Sequence, residues 1–170
     1  MHSKVDRSKL EIYTLLMGEP ALKSQTVQRG SVTVRVAKTH ANLNAHAAQV
    51  LKSHSDLTLV EWRVIQLLSL YKEAPMSIIA AELQIDKGQL SRRLSAMTAK
   101  GLVTSSPDAN DQRKFILRLT GQSLTYVRKL SPIMDKLQSD LQAGVSDSDL
   151  DTFYRVLARF DANATKRGSA

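Results

Sequence analysis

Residues 85–103, IDKGQLSRRLSAMTAKGLV, concentrate the chemistry of this chain. Lys87, Gln89, Arg92 and Arg93 fall within two helical turns, and after Asp86 no carboxylate occurs until Asp108. A helix that needs only solubility mixes its charges, because opposite signs four residues apart add a few tenths of a kcal/mol. An all-cationic stretch expects an anion instead. With Leu90 at zero on a helical wheel, Leu94 and Met97 lie within about 40° and face a core. Gln89, Arg92 and Ala96 lie near 200–260°, on the opposite side. Small Ala96 allows close backbone approach there, and Gln and Arg can pair bidentately with adenine and guanine edges. Lys87 and Ser91 suit phosphate, helped by free amides at the helix start. Arg93, at the edge of the core face, suits either a phosphate or a snorkelling stem.

A second group follows in SSPDANDQRKFILRL, a turn-rich segment between two short alternating runs. Asp111 stands two residues before Arg113, with Lys114 next. A carboxylate there can hold a neighbouring basic side chain in one rotamer, so that Arg113 enters a minor groove already oriented. The plain alternative is an Asp-rich turn leading into an exposed strand.

Other chemistry is poorly provided for. The chain has no cysteine, which excludes disulfides, thiolate metal sites and thiol nucleophiles. Its histidines are His2, His40, His46 and His54. The last three share one expected helix at separations of six and eight, not the four of a helical metal site. No metal or other cofactor is expected. Paired carboxylates, a nucleophile elbow, a phosphate loop and an HExxH pattern are all missing, so an enzyme is not expected. No apolar run approaches the roughly 20 residues that span a bilayer. The start, MHSKVDRSKLEIYTLLMGEP, is too interrupted by charge for a signal peptide, and the cytoplasm is the expected compartment.

The elements that must position these groups are legible from periodicity. Residues 1–30 read as an extension with a short helix near Leu10–Met17. A slim, Ala-rich helix follows over 31–53, carrying Val32, Val36, Leu43 and Val50. Thr58 and Glu61 form a capping-box pattern opening a second helix that ends near Tyr71. Ser77 is read as the cap of a short third helix, and Asp86 as the cap of the fourth, which ends at Gly101. LVTSS and KFILRL are strands of a hairpin. Thr120 opens a long helix of about 24 residues that carries the seam Leu124, Val127, Leu130, Met134, Leu137 and Leu141, with a kink expected at Pro132. Ser146 opens a last helix with Leu150, Phe153, Leu157 and Phe160 on one stripe.

With 170 residues, 42% hydrophobic and few Gly or Pro, the chain suits a mainly helical protein with one small hairpin. The net charge is +8, and residues 86–118 hold seven basic groups against three acidic ones. Two helices joined by a tight turn, the second basic, form a helix-turn-helix, and the hairpin makes it winged. The expected fold is therefore mainly α with a small antiparallel β-wing. The winged helix-turn-helix would occupy 58–119, with helical dimerisation regions at 31–57 and 120–170. The seam of a helix about 36 Å long cannot be covered within so small a domain, so a second copy is the economical cover.

LTLVEWRVIQLL, MSIIAAELQIDKGQLSRRLSAMTAKGLV and SSPDANDQRKFILRLTGQSL together resemble the MarR family of bacterial transcription regulators. The likeness runs in register over 57–124. It implies an obligate homodimer with intertwined terminal helices, reading a pseudo-palindromic operator on double-stranded DNA. It also implies a pocket for a small effector between the DNA-binding and dimerisation parts. The expected DNA-binding set is Ser77, Lys87, Gly88, Gln89, Ser91, Arg92, Arg93, Asp111, Arg113 and Lys114. Arg35, His40 and Trp62 are the candidate effector residues, suiting an anionic aromatic molecule; the plainer alternative is a solvated Arg35 and a Trp62 that packs in the core. Three features depart from the family pattern: VTSSPD lacks arginines before its proline, Gly88 replaces a usual hydroxyl residue, and the N-terminal extension is long. The expected function is a sequence-specific repressor released by an effector that respaces the recognition helices. The alternatives are a sequence-indifferent DNA-architectural protein and a protein-interaction winged helix with an incidental basic face.

Overall fold

The computed structural model describes residues 31–108, 111 and 114–166. The expected extension over 1–30, with its short helix and His2, lies outside them, as does Arg113. The described elements run α1 (Val32–His54), α2 (Leu59–Tyr71), β1 (Glu73–Pro75), α3 (Met76–Leu83), α4 (Lys87–Ala99), β2 (Val103–Pro107), β3 (Phe115–Leu119), α5 (Gly121–Leu141) and α6 (Asp147–Thr165). Contacts divide the chain into two compact units, Met1–Val50 and Leu51–Ala170.

In the first unit, α1 shows Val32, Val34, Val36 and Leu43 exposed. In the second, Trp62, Val64, Ile65 and Leu68 of α2 pack with Ile79 of α3, Leu90, Leu94 and Met97 of α4, and Leu130 of α5. Each fully buried side chain of this kind contributes about 1.5–3 kcal/mol. The caps follow the sequence closely. Thr58 accepts from the Glu61 amide while the Glu61 carboxylate accepts from the Thr58 amide, giving α2 its capping box. Thr120 and Ser146 accept from the amides of Ser123 and Asp149 to open α5 and α6. Gly101, at φ +68°, takes the left-handed position after α4.

Three expectations need correction. Ser77 does not cap α3: the cap position is Pro75, which makes no side-chain cap bond, and the helix begins at Met76. The reason is β1, a strand the periodicity did not show. It pairs antiparallel with β3, so the sheet order is β1-β3-β2 and the ladder holds the chain extended as far as Pro75 opposite Ile116. The ring of Pro75 then delivers the φ of −65° from which the helix starts. Finally, α5 has 21 residues, ending at Leu141 with Pro132 inside it, shorter than the roughly 24 expected.

Candidate nucleic-acid interface

The start of α4 is fixed by Asp86, whose Oδ1 accepts from the amides of Gly88 at 2.8 Å and Gln89 at 3.2 Å. This overturns the expectation that those amides stand free for phosphate. The carboxylate satisfies them and adds a negative charge at that end. Gly88 packs close to its cap, since a Cβ there would stand 3.1 Å from Asp86 Oδ1.

From that cap the helix presents two faces. Leu90, Leu94 and Met97 are buried, whereas Lys87, Gly88, Gln89, Ser91, Arg92, Arg93 and Ala96 are exposed. Leucines fix the rotation, so the polar side has one orientation. Arg93 is on the exposed side too. Ser95 spends its hydroxyl on the Ser91 carbonyl at 3.1 Å.

The cations of this region fall into two groups. Lys100 Nζ lies 2.7 Å from Glu61 Oε1, and Arg118 is held by Glu73 at 2.6 Å and by the Ser106 hydroxyl at 2.8 Å. Arg118 thus ties all three strands together across the outer face of the sheet. Lys114 Nζ stands 3.3 Å from Asp111 Oδ2. By contrast, Lys87, Arg92 and Arg93 have no carboxylate partner among the described residues. These unpaired cations all belong to α4, Arg92 opposite its buried row and Lys87 and Arg93 along the two edges of that row.

At the hairpin tip the Asp108 amide donates to the Lys114 carbonyl at 2.8 Å and the Lys114 amide to the Asp111 carbonyl at 2.8 Å. The Asp111 amide donates to Asp108 Oδ1 at 3.0 Å. These bonds close the wing and set Asp111 beside Lys114, a basic neighbour of the kind its carboxylate was expected to hold.

Between the start of α3, the side of α4 and the wing lies an open cleft of about 450 Å³. It brings together Ser77, Lys87, Ser91 and Lys114 of the expected set, beside Leu94 and Leu117. Gln89, Arg92 and Arg93 are not among its lining residues. Sequence reasoning missed Thr98, Ser105 and Phe115, which also line it. Phe115 carried a signal: an aromatic at the tip end of a strand whose later positions turn inward, here 52% exposed.

The candidate effector residues sit in different environments. Arg35 and His40 are exposed on α1, and His40 Nε2 lies 3.0 Å from the Asn44 amide nitrogen. Trp62 is fully buried in the core of the second unit, and its indole N–H finds no partner among the described residues. In this conformation it is a core side chain. Among the described residues no group of three His, Asp or Glu is placed to hold a metal, and no helix is long and apolar enough to cross a membrane.

A sequence model described as MarR family matches residues 55–114. Solved structures share the fold over most of the chain. A mutant MarR from E. coli, complexed with operator DNA, superposes with a TM-score of 0.68 at 16% identity, covering 81% of this chain and 99% of that one. The transcriptional regulator MosR from M. tuberculosis, in complex with DNA, gives 0.67 at 23% identity over 81% and 99%. BpsR from Bordetella bronchiseptica, whose DNA binding is regulated by 6-hydroxynicotinic acid, gives 0.69 at 18% identity over 77% and 93%. The winged-helix segment is therefore similar to the MarR family, and the chain shares the fold of these solved structures.

Proposed function

We propose that this MarR-type chain is a sequence-specific, DNA-binding transcription regulator that works as a homodimer on a pseudo-palindromic operator. The observation that carries the reading is the sorting of charge on α4. Lys87, Arg92 and Arg93 are uncompensated and exposed, Arg92 opposite the buried row and Lys87 and Arg93 along its two edges, while Lys100, Lys114 and Arg118 nearby are paired with carboxylates. A helix held by its apolar side with its cations outward is built to lie in a major groove. In this arrangement Gln89 and Arg92 read base edges, and Lys87, Ser91, Arg93 and Ser77 hold phosphates. Gly88 lets the backbone approach, and Asp111 steadies Lys114 in the wing.

The dimer reading rests on helix α6. It has 19 residues and none is buried, although Phe153, Tyr154, Val156 and Phe160 line it. Leu124 and Leu141 at the two ends of α5 are exposed as well. An amphipathic helix with nothing to bury calls for a partner, and a second copy supplies the same surface by symmetry.

Repression follows from occupancy of promoter DNA, and release by a small molecule is supported by the cleft. Its volume is within the range of small-ligand sites, and Ser77, Lys87, Ser91 and Lys114 line it. An anionic ligand held there would take cations that the DNA needs. The test is selection of bound duplexes from a random library with the purified chain. A two-fold symmetric consensus with half-sites about one helical turn apart supports the reading. Recovery of no consensus overturns it.

A further inference from the structure

Helix α4 is anchored mainly at the end that the DNA does not meet. Its first turn is closed by its own Asp86, whereas its exit is tied to two other helices. Ser123, buried in the first turn of α5, donates its hydroxyl to the Leu102 carbonyl at 2.5 Å, and Thr120 Oγ1 donates to the Gly101 carbonyl at 2.6 Å. Lys100, the C-cap residue of α4, reaches back to Glu61 in the first turn of α2.

Glu61 is a charged side chain with only 9% of its surface exposed, and each of its oxygens has a task. Oε2 accepts from the Thr58 amide at 2.7 Å and from the Thr58 hydroxyl at 2.9 Å, completing the cap of α2. Oε1 accepts from Lys100 Nζ at 2.7 Å. The same junction is held to α5, because Tyr126 donates to Asp56 at 2.6 Å and Lys129 to the His54 carbonyl at 2.6 Å. A capping box needs only a Glu or a Gln in this position. The charge is therefore surplus to the cap and is matched to the ammonium.

We infer that Glu61 and Lys100 are positioning residues for base reading: their ion pair fixes the exit of α4 against the start of α2, and so sets the angle at which Gln89 and Arg92 meet the groove. Neither side chain touches DNA in this arrangement. The inference rests on the DNA-binding reading above and deepens it. A lever pinned at one end delivers its far end accurately only while the pin holds. Phosphate contacts tolerate small shifts, but bidentate base contacts do not.

The experiment compares wild type, Glu61→Gln, Lys100→Met, the double variant and Lys100→Arg. Affinities are measured for the best duplex selected from a random library and for a scrambled duplex of equal composition, over a salt series. Glu61→Gln keeps the cap and removes a negative charge, so bulk electrostatics alone would raise both affinities. The pin predicts instead that the selected-to-scrambled ratio falls by about tenfold, the order of one lost base contact. Lys100→Met should lower the ratio equally, the double variant no further, and Lys100→Arg should restore it. The salt slope should stay at its wild-type value in all of them.

A ratio unchanged in Glu61→Gln, even with reduced thermal stability, overturns the inference and leaves a purely structural pair. A uniform affinity loss in Lys100→Met, with a slope smaller by about one, overturns it in favour of a phosphate contact. If wild type selects no sequence, the DNA-binding reading falls, and this inference with it.

Discussion

Replacing Asp86 separates the folding of the recognition helix from its use. Its Oδ1 accepts two amide hydrogen bonds at the start of α4, and the side chain is exposed. In Asp86→Ala both amides are released to water, and loss of such a cap costs about 1 kcal/mol. Asp86→Asn keeps the acceptor and loses only the favourable charge at the positive end of the helix, about 0.5 kcal/mol. On DNA the signs reverse. A carboxylate about 7 Å from a phosphate in water is repelled by roughly 0.6 kcal/mol, close to threefold in affinity. At physiological salt the screening length is about 8 Å, so the effect shrinks there and is best read in dilute salt. Urea titrations and fluorescence anisotropy on a labelled selected duplex should therefore move in opposite directions for Asp86→Asn. Binding should tighten two- to threefold while stability drops slightly. A tenfold loss of affinity in Asp86→Asn would show the carboxylate contacting a base, and would refute its assignment as a cap that the DNA tolerates.

Other substitutions and conditions give separate tests. Arg92→Ala should cost about 1–3 kcal/mol on the selected duplex and relax the preference at one base pair, whereas Lys87→Ala should weaken all duplexes alike and lower the salt slope by about one; the reverse pattern would exchange their roles. Leu130→Ala removes a fully buried side chain of α5 and should cost about 2–5 kcal/mol in chemical denaturation, and a loss below about 1 kcal/mol would contradict the packing described. Acid should act through Glu61. Burial pushes its carboxyl up, but hydrogen bonds from Lys100 and Thr58 outweigh burial and hold it below its ordinary value of 4.5. The folded state thus releases this proton more readily than the unfolded chain. Its contribution is full above pH 4.5 and is lost as the pH falls through the depressed value. The acid-induced drop in denaturation midpoint should be shallower in Glu61→Gln, and an unchanged pH profile would remove Glu61 as a contributor.

What could be read from the sequence was whatever is encoded locally. Thr58, Asp86, Thr120 and Ser146 cap their helices because a hydroxyl or carboxylate needs only the next two or three amides. The buried row of Leu90, Leu94 and Met97 follows from helical period alone. Strand β1 was illegible because three residues ending in proline carry no alternation, and the ladder that defines it comes from β3, more than forty positions later. Missing that strand moved the expected cap of α3 from Pro75 to Ser77. In the site, sequence placed the cations but could not sort them. Glu61 reaches Lys100 across 39 positions and Glu73 reaches Arg118 across 45, distances at which charge spacing carries no signal. The burial of Trp62 has the same origin. An aromatic residue in an apolar helix looks alike whether it lines a pocket or fills a core, and packing by α3, α4 and α5 decides.

The proposed function requires the exposed face of α4 to distinguish one DNA sequence from another. Competition between the selected duplex and excess scrambled duplex, at one fixed salt concentration near physiological, measures that most directly. The expected preference is about 10³-fold or more, abolished in large part by Arg92→Ala. Equal displacement by both duplexes would contradict it.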